Sequence, residues 1–171
     1  MSFEIDICDN HPEQSVDVTA LRAAVEHALR VEEVRAAILS ITVVDDPTIH
    51  TLNRDHLDHD YPTDVISFQL DWSAADRDQP SLTDTRRAAG AAIEGEIVTS
   101  LDYAQQSAPA GHWNTTAELT LYVIHGLLHI CGYDDLTPDE KRVMRDRERS
   151  ILSGLGLEPV YPDDAVVGGD D

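Results

Sequence analysis

The stretch from Leu121 to Asp135, Leu-Tyr-Val-Ile-His-Gly-Leu-Leu-His-Ile-Cys-Gly-Tyr-Asp-Asp, sets the terms on which this chain can fold. Leu119, Leu121, Val123, Ile124, Leu127, Leu128 and Ile130 make the segment strongly apolar, and His125 and His129 interrupt it. Burying two imidazoles costs free energy unless each finds a partner. On an α-helix, positions four apart share a face, so the pair can offer two ring nitrogens to one metal ion. Gly132 suits a tight exit from that helix, because glycine enters the left-handed region without a Cβ clash. A turn there would bring Asp135 to the same ion as a third ligand and leave a fourth position open, the arrangement of catalytic rather than structural zinc. Either histidine alone reads more readily as a hydrogen-bonded core residue than as a ligand. The two together, with the glycine turn and the aspartate pair, favour a metal.

The spacing is close to the H-E-x-x-H of zinc proteases, but the residue after the first histidine is Gly126. In those proteases the glutamate is the general base, so its absence argues against peptidase chemistry. The stretch instead resembles the H-G-x-L-H-L-x-G-Y-D-H signature of the YbeY family of bacterial endoribonucleases. The match runs through His125, Gly126, Leu128, His129, Ile130 in place of leucine, Gly132, Tyr133 and Asp134. Residues 52–68, Leu-Asn-Arg-Asp-His-Leu-Asp-His-Asp-Tyr-Pro-Thr-Asp-Val-Ile-Ser-Phe, look like the family's L-N-x-x-Y-R-x-x-D-x-P-T-D-V-L-S-F segment. Gly95 to Val98, Glu118-Leu119, Met144 and Glu148 extend the likeness along the chain.

Two positions depart from the family pattern. Asp135 stands where the family has its third histidine, and a carboxylate ligand lowers the Lewis acidity of the ion while widening the range of metals toward manganese and iron(II). Asp134 is expected to orient a ligand or to accept a hydrogen bond in the turn. His56 and Leu57 replace a tyrosine and an arginine, and the resemblance ties that arginine to activity. Arg54, one helical turn back, is the candidate supporting residue in its place. Pro62, Thr63 and Asp64 form a turn into a β-prone run, Val65 to Phe68. If that run is an edge strand beside the metal, Thr63, Asp64 and Ser67 are the candidate substrate-binding residues.

At 171 residues and 42% hydrophobic composition, the chain is expected to build one domain over residues 1–158, followed by an acidic, disordered tail over 159–171. No apolar run approaches a membrane span and the N-terminus lacks an export pattern, so a cytoplasmic protein with reduced Cys8 and Cys131 is expected. Twelve basic residues against thirty-three acidic ones give a formal charge of -21, an unusual balance for a protein that meets phosphates. Residues 71–92 and 158–171 carry many of the acids, so the cleft itself is expected to be less negative. Arg142, Arg145, Arg147 and Arg149 read as a solvated helix face.

Periodicity predicts strands at 3–8, 38–44, 64–70 and 93–98, and helices at 18–31, 47–57, 100–108, 115–131 and from Thr137 onward. The segment 71–92 reads as a long mobile connection able to lie over the cleft. The expected fold is α+β, a small mixed β-sheet packed with helices and supporting a zincin-like metal-bearing helix. The resemblance implies a metal-dependent, single-strand-specific endoribonuclease acting in maturation of the 16S ribosomal RNA 3′ end and in ribosome quality control. It further implies Zn2+ as cofactor, with Mn2+ or Fe2+ as substitutes, and ribosomal RNA and the small ribosomal subunit as partners. Attack by metal-activated water and attack by the RNA 2′-hydroxyl are both compatible with it. The rival readings are a non-catalytic, metal-stabilised ribosome-assembly factor, supported by Leu57, and a metallohydrolase of another substrate class such as peptides.

Overall fold

The computed structural model describes residues 1–74 and 86–162. Strands Ser2–Asp9 (β1), Ala36–Val44 (β2), Val65–Ser73 (β3) and Ala92–Ser100 (β4) form one mixed sheet in the order β1-β2-β4-β3. The first three in that order run parallel, and β3 joins the edge antiparallel to β4. Helices are Val18–Val31 (α1), Asp46–Leu57 (α2), Leu101–Ser107 (α3), Thr115–Ile130 (α4) and Pro138–Ser153 (α5), with a 3₁₀ turn at Ala108–Gly111 after α3. Each α-helix begins on a residue whose side chain accepts a backbone N–H three positions on: Asp17, Asp45, Ser100, Asn114 and Thr137. Those side chains satisfy donors that the first turn leaves open.

The sheet is covered on both faces. Ala37, Leu39, Ile41 and Val43 of β2, with Ile93 and Ile97 of β4, share a core with Leu21, Val25 and Leu29 of α1 and Val123, Ile124, Leu127 and Leu128 of α4. On the other face, Ile49 and Leu52 of α2 pack with Val44, Ile66, Phe68 and Val98. Helix α4 is apolar nearly all round because α1, α3, α5 and the sheet all touch it. Its closest approach to the sheet is made at glycines. A Cβ on Gly126 would stand 3.1 Å from Val65 and 3.2 Å from Ile97, and one on Gly95 would stand 2.6 Å from Ile130 and 2.8 Å from the Phe68 carbonyl oxygen.

The sequence places every strand and α-helix among the described residues but not the 3₁₀ turn at Ala108–Gly111, and the other differences lie at element ends. Strand β3 runs three residues beyond its expected end, through Asp71, Trp72 and Ser73, which pair with Glu94, Ile93 and Ala92 of β4. A bulge between Gln69 and Asp71 breaks the alternation that would have revealed them. The connection expected over 71–92 is shortened accordingly; its centre, residues 75–85, and the tail beyond Pro162 lie outside the described residues, as do the mobility and disorder expected of them. The α5 arginines are not one solvated face. Arg142 and Arg149 pair with Asp139 and Asp146 three positions back, Arg147 reaches the buried Glu32, and Arg145 lies over the Tyr161 ring. Among the described residues, no helix is long and apolar enough to cross a membrane. Both cysteines are free, and Cys131 is buried in the core as expected of a small hydrophobe.

The glycine seat of α4 makes a direct prediction. Gly95→Ala should lower stability by about 1–3 kcal/mol, because the new methyl has to displace backbone as well as Ile130. An unchanged denaturation midpoint would mean that the helix does not sit this close to the sheet.

Candidate metal centre

Helix α4 ends in a turn that the sequence specifies residue by residue. Cys131 caps it, and Gly132 follows in the left-handed region at φ +95°. The Gly132 N–H donates to the His129 carbonyl oxygen at 3.0 Å and the Tyr133 N–H to that of Leu128 at 3.0 Å, the paired bonds of a Schellman motif. The reversal brings Asp135 back over the last turn of α4. There His125, His129 and Asp135 each offer one ligand atom, all within 4.8 Å of one another, and the group could hold a metal ion.

The orientation of the two imidazoles is set from behind. His125 Nδ1 lies 2.6 Å from Glu148 Oε1 on α5, and His129 Nδ1 lies 3.1 Å from the Tyr133 carbonyl oxygen. Both partners are acceptors, so each Nδ1 is the protonated nitrogen and each Nε2 carries its lone pair inward. The Nε2 atoms face each other at 3.1 Å, and Asp135 Oδ2 stands 3.4 Å from His125 Nε2 and 3.7 Å from His129 Nε2. Donors bound at about 2.0–2.2 Å to a tetrahedral ion stand about 3.3–3.6 Å apart. Two facing lone pairs and a carboxylate repel one another without a cation between them, so the donor set fits a small divalent ion.

The same arrangement governs protonation. Burial works against the His125 imidazolium, but hydrogen bonds to Asp135 and Glu148 and the charges of Glu148 and Asp64 outweigh it and push its pKa up to about 10. The hydrogen bond to His125 holds the Asp135 carboxyl below the usual aspartate range, against the desolvation that would raise it. In the metal-free protein a proton thus takes the place the lone pairs leave for a cation. Asp134 Oδ1 accepts the Asp135 N–H at 2.9 Å, the role of a turn acceptor.

Two cavities meet at this cluster. The larger, about 760 Å³, is walled by Tyr103, Glu118, Tyr122, Lys141, Arg145 and Glu148 and by Val160 to Pro162, and the second, about 580 Å³, by Leu57, His59, Tyr61, Thr63 and Ser67; Asp64, His125 and Asp135 belong to both. Thr63, Asp64 and Ser67 are therefore brought to the cluster, on and just before the edge strand β3. Asp64 is held by its own turn: Oδ1 accepts the Val65 N–H at 2.7 Å and the Thr63 hydroxyl at 3.2 Å, and its carbonyl accepts from Ser100 and Thr99. Arg54 is not brought in; it lines neither cavity and pairs with Asp55 in solvent. The expected relief of negative charge in the cleft is also missing, since Asp64, Glu118, Asp135 and Glu148 outnumber Lys141 and Arg145 on the larger cavity's wall.

Sequence reasoning passed over Glu148 as a partner of the site and over Tyr161 altogether. Glu148 is 2% exposed on α5 and bonds His125 through one oxygen and the Tyr161 hydroxyl through the other. Its signal was a glutamate in phase with the buried Met144, Ile151 and Leu152. Tyr161 had none, lying beyond the last helix. Gly126 proves to face the sheet, so that position has no room for a base that could reach the cleft.

Two predictions follow from this geometry. In metal titrations, His125→Ala and His129→Ala should abolish tight binding, Asp135→Ala should weaken it, and Asp135→His should be tolerated; Asp134→Ala should cost less than Asp135→Ala. Glu148→Gln should cost about 10–100-fold in affinity while leaving all three ligands in place. Loss of metal in Asp134→Ala but not in Asp135→Ala would reverse the ligand assignment. The second concerns pH. A raised His125 pKa stabilises the metal-free fold fully below its unfolded value near 6.5, and that contribution is lost as pH rises toward about 10. Because metal must displace that proton, loading at pH 7 should release close to one proton per ion, and affinity should climb with pH until about 10. Calorimetry in buffers of different ionisation enthalpy reads the proton count, and zero protons would refute the protonated resting state.

Known proteins resemble this chain over most of its length. A family model described as Endoribonuclease YbeY matches residues 6–156. The chain is 35% identical over 151 residues to an endoribonuclease YbeY of Salinibacter ruber, covering 88% of this chain and 91% of that one. It is 39% identical to one from Carboxydothermus hydrogenoformans (74% and 78% covered) and 32% identical to one from Bacillus mycoides (92% and 99%). The solution structure of a Thermotoga maritima protein shares the fold, with a TM-score of 0.53 at 20% identity over 88% of this chain and 91% of that one. With the family model spanning nearly the whole described chain and relatives above 30% identity over most of its length, this chain belongs to the endoribonuclease YbeY family.

Proposed function

We propose that this chain is a metal-dependent endoribonuclease that cuts single-stranded RNA in ribosomal RNA maturation, including the 16S 3′ end, and in ribosome quality control. The observation that carries the reading is a three-ligand site with an open side, placed where two cavities meet beside an edge strand, in a member of an endoribonuclease family. His125, His129 and Asp135 would hold the ion, with Zn2+ favoured by two imidazoles and one carboxylate and Mn2+ or Fe2+ as substitutes. When bound, the ion supplies Lewis acidity toward a phosphoryl oxygen and acidifies water. Glu148 fixes the His125 ring through Nδ1, and the Tyr133 carbonyl does the same for His129.

The chain's own groups would place the substrate. An extended strand of RNA fits beside β3, where the hydroxyls of Thr63 and Ser67 can donate to phosphate oxygens and the Asp64 carboxylate can accept from a ribose 2′-hydroxyl. That last contact would distinguish RNA from DNA. A divalent ion offsets much of the cavity's surplus of carboxylates, so RNA should approach the loaded protein and not the empty one. The functional unit spans residues 1–158, with the start of the 159–171 segment adding a wall to the larger cavity. The small ribosomal subunit in the cytoplasm is the proposed setting.

Leu57 supports one rival, the non-catalytic assembly factor, because it puts an exposed apolar side chain on the cavity wall in place of the family's arginine. Cleavage assays separate the two. Zn2+-loaded protein should cut an unstructured RNA oligonucleotide, spare the same sequence as a duplex and leave casein intact, and chelation should stop the reaction until metal is returned. Leu57→Arg should raise kcat/KM by about tenfold through one charge-assisted hydrogen bond. A fully metal-loaded protein that cuts no RNA, with or without Leu57→Arg, would decide for the assembly factor.

A further inference from the structure

The smaller cavity has a wall that the reading above leaves without work. Residues 54–61 are all exposed, and within them the rings of His59 and Tyr61 stack with centroids 5.3 Å apart and planes 11° from parallel. Tyr61 is 54% exposed and Leu57 beside it 44%. Side chains of this kind lose free energy by facing water, and parallel exposed rings on a cavity wall are a surface suited to a flat, aromatic ligand.

The loop that carries them is fixed rather than slack. Asn53, 2% exposed on α2, donates from Nδ2 to the Tyr61 carbonyl at 2.8 Å, and its own carbonyl accepts the His59 N–H at 3.2 Å. Asp58 closes α2 in the left-handed conformation at φ 57°. Pro62 confines Tyr61 to extended backbone, and His50 bonds Asp60 at 2.8 Å. The two rings are thereby held on the wall of a cavity that His125, His129 and Asp135 also line.

Charge says what the platform is for. A chain of formal charge -21 with one lysine gains little RNA affinity from counterion release, and at position 57 this cavity presents leucine. Stacking is the contribution to single-strand binding that needs no cation, because every base has a π-face. A base inside a duplex has both faces covered and cannot use it.

We propose that the stacked His59–Tyr61 pair receives an unpaired base of the RNA substrate beside the metal cleft, making Tyr61 a specificity-determining residue for single strands. The proposal rests on the ribonuclease reading of the same site, and binding measured apart from cleavage keeps the two separable. Anisotropy of a fluorescent, unstructured RNA oligonucleotide titrated with the Zn2+-loaded full chain should give a Kd about 5- to 100-fold weaker for Tyr61→Ala, and within about twofold of the parent for Tyr61→Phe, which keeps the ring. The loss should be the same at low and high salt, unlike the loss of a phosphate contact. A companion oligonucleotide with abasic sites at every position should bind parent and Tyr61→Ala alike. Kd unchanged in Tyr61→Ala, an equal loss on the abasic strand, or an equal loss on a duplex would each overturn the proposal. RNA that binds through Tyr61 and is not cut would instead overturn the nuclease reading and leave the platform standing.

Discussion

Everything at the site depends on how closely helix α4 lies on strands β3 and β4. Glycine on both sides of the contact, Gly126 on the helix and Gly95 on β4, lets backbone approach where any Cβ would meet Val65, Ile97, Ile130 or the Phe68 carbonyl. With one face of α4 so committed, the positions a few residues around the helix are fixed by its 3.6-residue turn. Val123, Ile124, Leu127, Leu128 and Ile130 enter the core, and His125 and His129 are left at the rim, each side chain 26% exposed. Burying a leucine or isoleucine is worth about 1.5–3 kcal/mol, so several such residues hold the imidazoles at a place that is costly for them alone.

What the packing positions, the electrostatics then define. Glu148 is buried, and its two oxygens bond His125 and Tyr161. A buried carboxylate so placed favours positive charge on the imidazole and, through it, at the cluster. Asp64 and Asp135 act in the same direction on His125. The site therefore asks for a cation and meets the demand with a proton when no metal is there. Its negative surroundings thus suit a metal ion more directly than RNA, so the low content of lysine and arginine is compatible with a metal-dependent nuclease.

The metal helix, its glycine exit and the returning aspartate were legible in the sequence because each depends on spacing along one continuous segment. Helix periodicity places His125 and His129 on one side, and only glycine serves at Gly132, where φ is +95°. The extent of β3 was not legible, because the bulge at Leu70 puts Asp71 and Trp72 out of phase with the preceding alternation. Glu148 resisted for a different reason: its partner is twenty-three residues away on another helix, and a glutamate on an otherwise charged α5 looks like surface. The arginines of that helix misled in the opposite sense, since Arg147 spends its charge on Glu32 at the end of α1. Local rules reach as far as one element; pairings between elements need the fold.

The two departures from the family pattern both line the smaller cavity, and they differ in kind. Asp135 keeps a donor where the family has one: its carboxylate oxygen arrives 3.4 Å from His125 Nε2, a distance that a shared ion would set. The exchange alters charge and Lewis acidity and leaves the geometry of the site. Leu57 puts an exposed apolar side chain on the cavity wall, and Arg54 pairs with Asp55 instead of reaching it. Beyond the cluster, however, the same loop supplies His59 and Tyr61, anchored through Asn53 to the helix that also bears Leu57. A cavity that has lost its cation but kept a rigid aromatic wall will discriminate by base and strandedness more than by phosphate charge. Its binding of RNA should then weaken little with added salt.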